Sequence, residues 1–284
     1  MGNKILITGI TGNVGSDIAY SLQRLNHPFK AGVRDIEKAR KLFGNDIEYV
    51  RFDFEDADTY EEALKDVNKV FLMRPPALAD AKKQIKPFID KCAQKKIEHM
   101  VFLSLMGIEK NPVPPHYKIE KFILESGIPY TFLRPSFFMQ NLNTTHCKDI
   151  KERNDIYIPC GRAKLSFIDT RDIGEAGAIA LTADKHKNKA YTLTGPEALD
   201  YYQAAEIFTR VLGRKITYSN PSPLAFRKEM INRGVKKDFA NVMVMLYLTT
   251  RFGMAKSTTP ELEQLLGRKA TTLEQYVKDY AESF

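Results

Sequence analysis

The chain has 284 residues, 43% hydrophobic and 11% aromatic, enough for one large domain or a large domain with a smaller one attached, which excludes a disordered chain. The formal net charge of +8 comes from basic residues interleaved with acids, without a helix-turn-helix, zinc or RNA-binding signature, so small anionic ligands are expected rather than nucleic acid. No run of about 18 apolar residues is present, and three cysteines (Cys92, Cys147 and Cys160) fit neither a disulfide framework nor a metal site, so a cytoplasmic protein without metal or membrane contact is expected.

The start "MGNKIL" passes directly into a strand pattern without the zones of a signal peptide, and Leu6 stands where a myristoylation signal wants Ser or Thr. Six short apolar segments follow in order: "KILIT", "PFKAGV", "IEYVRFDF", "KVFLM", "HMVFLS" and "PYTFLR". Helical stripes lie between them, one formed by Val14, Ile18, Leu22 and Leu25, another by Ile85, Phe88, Ile89 and Cys92 inside the lysine-rich "AKKQIKPFIDKCAQKK". Asp35 and Asp58 stand at N-cap positions, the latter with Glu61 as a capping box. This alternation predicts an α/β, Rossmann-type doubly wound parallel sheet.

After "LRPSFFMQN" the rhythm breaks. Strand-like pieces "IYIP", "LSFI" and "AYTLT" surround a helical "TRDIGEAGAIALT", and from about Ala198 helical patterns dominate, with stops at Gly213, Gly234, Gly253 and Gly267. The expected division is a dinucleotide-binding domain over 1–145 with a return segment at about 164–195, and a smaller, mainly helical substrate lobe over 196–284 to which 146–163 contribute.

Gly9, Gly12 and Gly15 lie three apart between a strand and an amphipathic helix, a context in which the spacing has a mechanism. Gly9 permits a tight turn, Gly12 lets backbone N–H groups approach a pyrophosphate, and Gly15 lets the helix pack on the sheet with its positive end facing the anion. Thr11, Asn13 and Val14 complete this cofactor turn. At the end of the second strand Arg34 comes first, with Lys38 and Arg40 in the next helix and Asp35 better explained as its cap, which favours NADP(H) over NAD(H). Asp53 and its neighbour Phe54 follow the third strand, where a carboxylate can take the adenine amino group.

"TGITGNVG" followed by "VR", then "FDFED", "SGIPYTFLRPSFFMQN" and "YTLTGPEAL", resembles the NmrA-like group of atypical short-chain dehydrogenase/reductases over essentially the whole chain. That group includes reductases of quinones, azo compounds and triphenylmethane dyes, and a non-catalytic redox-sensing regulator. The resemblance implies a nicotinamide near Met73, Arg74 and Pro75, near Ser104 and Leu105, and near Pro135, Ser136, Phe137 and Phe138, with the two phenylalanines able to stack flat acceptors.

Ordinary superfamily members use a Tyr-x-x-x-Lys pair, and "HYKIEK" holds Tyr117 and Lys121 at that spacing. The register opposes it. Glu120 lies four residues past His116 and Arg134 eighteen past it, which puts His116 at the family's lysine position and Pro112 at its tyrosine position. Two functions therefore stand open: an NAD(P)H-dependent reductase of a small flat acceptor, monomeric or homodimeric, and a sensor that binds NAD(P) and a protein partner.

Overall fold

The computed structural model describes residues 4–251, 253 and 255–284. Seven strands form one sheet: β1 (Lys4–Thr8), β2 (Phe29–Val33), β3 (Glu48–Arg51), β4 (Val67–Leu72), β5 (His99–Leu103), β6 (Tyr130–Pro135) and β7 (Lys189–Leu193). Their order is β3-β2-β1-β4-β5-β6-β7 and every pairing is parallel. The chain winds outward from β1 to β3, then returns to β4 on the other side of β1. Connections after β1 and β4 thus leave in opposite directions, opening a crevice at their C-terminal ends where such folds take ligands.

The helices are α1 (Asn13–Arg24), α2 (Ile36–Phe43), α3 (Tyr60–Ala63), α4 (Ala81–Gln84), α5 (Lys86–Gln94), α6 (Pro115–Ser126), α7 (Gln140–Asn143), α8 (Cys147–Arg153), α9 (Thr170–Thr182), α10 (Tyr201–Leu212), α11 (Pro223–Asn232), α12 (Lys237–Arg251), α13 (Glu261–Leu266) and α14 (Leu273–Asp279). None of them is long and apolar enough to cross a membrane. In α1 the stripe Val14, Ile18 and Leu22 is buried, but Leu25 falls just past the last turn and is exposed. Along α4 and α5, Ile85, Phe88, Ile89 and Cys92 are fully buried while Lys86 pairs with Asp90 and Lys91 with Glu61, so the lysine run is a solvated, ion-paired face. Asp35 caps α2 by accepting from the Lys38 amide at 2.9 Å. The capping box expected at Asp58 does not form: Asp56 lies two residues earlier and accepts from the Asp58 amide instead.

The chain divides into two compact units. The first runs up to Pro135 and adds Thr170–Leu193 and Glu261–Gly267; the second comprises Ser136–Asp169, Thr194–Pro260 and Arg268–Phe284. The break thus falls ten residues before the expected 145, and α13 joins the sheet-bearing unit: it packs against α9 and β7, and Glu261 accepts the backbone amide of Thr192 on the edge strand β7. An otherwise open sheet edge gains a partner there. The second unit packs around Tyr201, Phe208, Phe226 and Tyr276, all buried. "AYTLT" supplies β7, but "IYIP" and "LSFI" join no sheet: Asp155, just before the first, bridges to Thr217, and the second makes isolated bridges from Leu165 to Leu199 and from Ile168 to Phe138. Pro159, which lacks the N–H that a ladder needs, ends the first piece.

Candidate functional site

The turn after β1 is built as its glycines require. Gly9 has φ +75°, in the region that favours glycine, and its carbonyl accepts the Gly12 amide at 3.0 Å. A Cβ on Gly15 would lie 2.2 Å from the Gly9 carbonyl oxygen, so α1 can pack against the strand end only without one. At Gly12 the same atom would meet only the terminal methyl of Met73, at 3.2 Å, and the Gly9 oxygen at 3.5 Å. The fold itself therefore demands glycine at 9 and 15, whereas at 12 the protein alone would tolerate a small side chain.

Gly12 is the N-cap of α1 and offers no side-chain cap, and the first turn holds no acidic residue. The amides of Asn13, Val14 and Gly15 at the head of a 12-residue helix are left as donors, with the helix dipole behind them. Val14 is buried, whereas Thr11 and Asn13 are exposed at the rim. These features fit a pyrophosphate: uncapped donors, no competing carboxylate, and a position where only glycine allows close approach.

At the end of β2, Arg34 is exposed and its guanidinium has no partner among the described residues. Asp35 is committed to its cap. Lys38 is exposed one turn into α2, with its ammonium equally unpaired. Two cations and no available carboxylate therefore stand where a ribose 2′-phosphate would be read. Beyond β3, one oxygen of Asp53 accepts the Glu55 amide at 3.0 Å. Phe54 departs from expectation. Its ring lies in an aromatic cluster with Phe52 and Phe88, and its carbonyl accepts the Tyr60 hydroxyl, so its side chain is taken up in packing. An open groove of about 550 Å³ lies alongside, lined by Glu55, Ala77, Ala79, Asp80, Lys83 and Gln84.

After β4, the Met73 amide donates to Thr8 Oγ1 at 2.9 Å, and the Met73 side chain reaches over the glycine turn. Arg74 turns back on its own loop: Nη1 donates to the carbonyls of Pro75, Pro76 and Leu78 at 2.8, 3.1 and 2.8 Å. Its Nε is buried without a partner, and burial lowers its pKa.

Beyond β5, Ser104 is occupied. Its hydroxyl donates to Glu120 Oε1 at 2.6 Å, and Glu120 receives Arg134 through Nε at 3.0 Å and Nη2 at 2.7 Å. Glu109 adds a second carboxylate 3.2 Å from Arg134 Nη1. Burial alone would lower the Arg134 pKa, but the hydrogen bonds and charge of Glu120, with Glu109, outweigh it and raise it. This buried fork fastens α6 to the ends of β5 and β6 and so sets the position of His116 one turn earlier.

His116 stacks on Phe102 at 5.9 Å with 30° between the ring planes, and its Nδ1 is buried without a partner. Burial first, and the Arg74 charge second, push its pKa down to about 3, so the imidazole is neutral near pH 7. Tyr117 and Lys121 take another arrangement: the Lys121 ammonium lies over the Tyr117 ring at 5.9 Å and is exposed. The lysine thus meets the face of the ring, the arrangement of a pair on the helix surface.

Pro135 ends β6, where its carbonyl accepts the Met106 amide, and Pro75 accepts the Leu78 amide as well as Arg74. Ser136, Phe137 and Phe138 open the second unit. The Ser136 hydroxyl donates to the Ser166 carbonyl, and Phe137 sits edge-on to Phe167 within the core of that unit. Phe137 is thus buried in that core, while Phe138, bridged to Ile168, keeps partial exposure. Among the described residues no group of His, Cys, Asp or Glu is placed to hold a metal ion, and the three cysteines are free thiols.

Residues 1–277 match the NmrA-like family. The chain belongs to that family. It is 32% identical over 286 residues to an NAD(P)H azoreductase of Xenophilus azovorans, with 99% of each chain covered. It is 31% identical over 279 residues to prestalk A differentiation protein A of Dictyostelium discoideum, covering 97% of this chain and 92% of that one. Its fold matches an NADPH-dependent quinone oxidoreductase from Escherichia coli, complexed with NADPH, with a TM-score of 0.88 and 25% identity over 98% of this chain and 99% of the other. Within this NmrA-like chain, reasoning from sequence missed Thr8, which ties β1 to β4 by donating to the Phe71 carbonyl while holding the Met73 amide. A polar residue closing an apolar strand was the available signal.

Proposed function

We propose that this chain is an NADP(H)-dependent reductase whose acceptor is a small, flat, quinone-like or azo compound. The observation that carries this reading is the glycine turn opening onto the uncapped, acid-free N-terminus of α1, with Arg34 unpartnered at the end of β2. When bound, NADPH supplies a hydride, that is, two electrons and one proton's worth of hydrogen. The α1 amides would hold the pyrophosphate, Arg34 with Lys38 the 2′-phosphate, and Asp53 would accept from the adenine amino group. His116, neutral and stacked on Phe102, lies at the C-terminal end of β5 without acting as a strong acid. Reduction of a quinone or azo group takes its remaining proton from solvent, so the absence of the family tyrosine is compatible with turnover. The azoreductase and quinone oxidoreductase relatives, which cover nearly the whole chain, support the same chemistry.

The test is NADPH consumption by the purified protein against quinones, azo compounds and simple carbonyls, with NADPH affinity measured in parallel. Turnover with quinones or azo compounds is expected. Tight NADPH binding with no oxidation by any acceptor would instead establish the sensor reading, which Pro112 at the tyrosine position favours.

A further inference from the structure

Arg74 lacks the partner that its charge calls for. Three backbone carbonyls satisfy Nη1, yet they are neutral, and Nε is buried with nothing to donate to. No carboxylate pairs with it among the described residues. A role confined to plugging the 74–78 loop would leave both the charge and the Nε donor unused. The register of the sheet brings a second unsatisfied group to the same edge. Leu72 on β4 lies opposite Phe102 on β5, and Arg74 follows two residues after Leu72 while His116 stacks on the Phe102 ring. His116 Nδ1, like Arg74 Nε, is buried and unpartnered. The neighbourhood thus joins a guanidinium that no carboxylate pairs with among the described residues, an unpartnered imidazole nitrogen and the Phe102 ring.

We propose that Arg74, with His116 beside it, forms an oxyanion subsite that selects acceptors whose reduction leaves negative charge on oxygen, quinones above all, over cationic dyes. The proposal rests on the reductase reading and names its substrate class. Reduction of a quinone transfers one hydride from NADPH, which is oxidised to NADP⁺, and leaves one quinone oxygen as a phenolate. That oxygen then takes a proton from water, so quinone, NADPH and one proton give hydroquinone and NADP⁺. A fixed guanidinium stabilises the developing phenolate and repels a cationic triphenylmethane dye, making Arg74 a specificity-determining residue.

The first arm uses nucleotide-free protein and two isosteric probes, benzoate and benzamide, followed through the His116 ring signals by NMR. A charge-assisted contact to Arg74 should make benzoate bind about ten- to a hundredfold more tightly than benzamide. Arg74→Lys, which keeps the charge, should retain part of that preference, and Arg74→Gln should lose it while the His116 pKa rises. Equal affinity for the two probes in the wild type, or an undiminished preference in Arg74→Gln, overturns the proposal. The second arm compares kcat/KM for a neutral benzoquinone and a cationic triphenylmethane dye. The quinone-to-dye ratio should fall about tenfold or more in Arg74→Gln, the scale of one charged hydrogen bond, and an unchanged ratio overturns the proposal. Absence of NADPH oxidation with either acceptor defeats the reductase reading alone, because the benzoate arm still decides whether the anion subsite exists.

Discussion

At the β5–β6 end of the sheet's C-terminal edge, Arg134 meets two carboxylates and Ser104 completes the cluster; toward β2 and β4, neither Arg34 nor Arg74 is paired with a carboxylate among the described residues. The three guanidiniums are chemically identical, so the difference lies in what the chain supplies around them. Where it supplies Glu120, a side chain almost wholly buried, the arginine is a structural fastener for α6. Where it supplies only helix amides, carbonyls and open space, the cations await an anion that the sequence does not encode. An edge neutralised on one side and uncompensated on the other is what a dinucleotide site needs: a rigid half to hold the loops and a charged half to hold the ligand.

The closed half should break hardest. Arg134→Met strands the buried Glu120 carboxylate, and removal of one partner from such a pair typically costs about 3–5 kcal/mol. Chemical denaturation should show that loss with an unchanged slope. A loss under about 1 kcal/mol, the scale of an exposed ion pair, would mean that the cluster is no fastener and that the contrast between the halves is false.

The open half should break in ligand binding instead. Gly12→Val places atoms where the pyrophosphate approaches, and loss of two charge-assisted hydrogen bonds there corresponds to about a hundredfold in NADPH affinity. Its melting temperature should fall far less than its affinity, since a Cβ there meets the end of the Met73 side chain at 3.2 Å and the Gly9 oxygen only at ordinary contact distance. Gly15→Ala is the control: its Cβ would strike the Gly9 carbonyl, so stability itself should fall. Calorimetric titration alongside thermal melts separates the two, and intact NADPH binding by folded Gly12→Val would remove the cofactor site.

These contrasts also mark what could be read without coordinates. The six strands and the glycine turn were legible because apolar runs, β-branched residues and glycine spacing act locally. His116 was reached by counting from Glu120 and Arg134 against the spacing of the family that the chain resembles, and those two residues pair in the fork that holds α6 to β6. Non-local matters were hidden. That α13 belongs with the sheet depends on its packing against α9 and β7 and on a carboxylate reaching an edge amide 69 residues away in sequence. Phe54 and Phe137 are apolar residues beside loops, and nothing local distinguishes a ring committed to a core from one facing a ligand. The Arg74 loop is closed by carbonyls whose positions only the folded backbone defines.

A smaller effect in the open half tests the cofactor preference. Arg34→Ala should weaken NADPH by about ten- to a hundredfold, the range for a charged hydrogen bond to phosphate, and leave NADH unchanged. The preference should shrink with added salt because Arg34 is exposed. Titration of both nucleotides into wild type and variant measures it directly. Stronger NADH binding by the wild type would mean that Asp35 leaves its cap and reads the ribose.

The smallest effect is expected at Tyr117, one residue beyond His116. Lys121 lies against the face of its ring rather than at its hydroxyl, and burial has not isolated either group from water. Tyr117→Phe keeps the ring and the cation–π contact, removing only the oxygen. NADPH oxidation with a quinone should therefore stay within about threefold of wild type, because a surface change away from the reacting atoms costs little. A positioned general acid contributes about 10²–10⁴-fold, so the two outcomes do not overlap. Steady-state kcat/KM against a benzoquinone distinguishes them. A hundredfold loss would return the proton-donating role to Tyr117 and Lys121, and with it the register in which His116 has no part in the site.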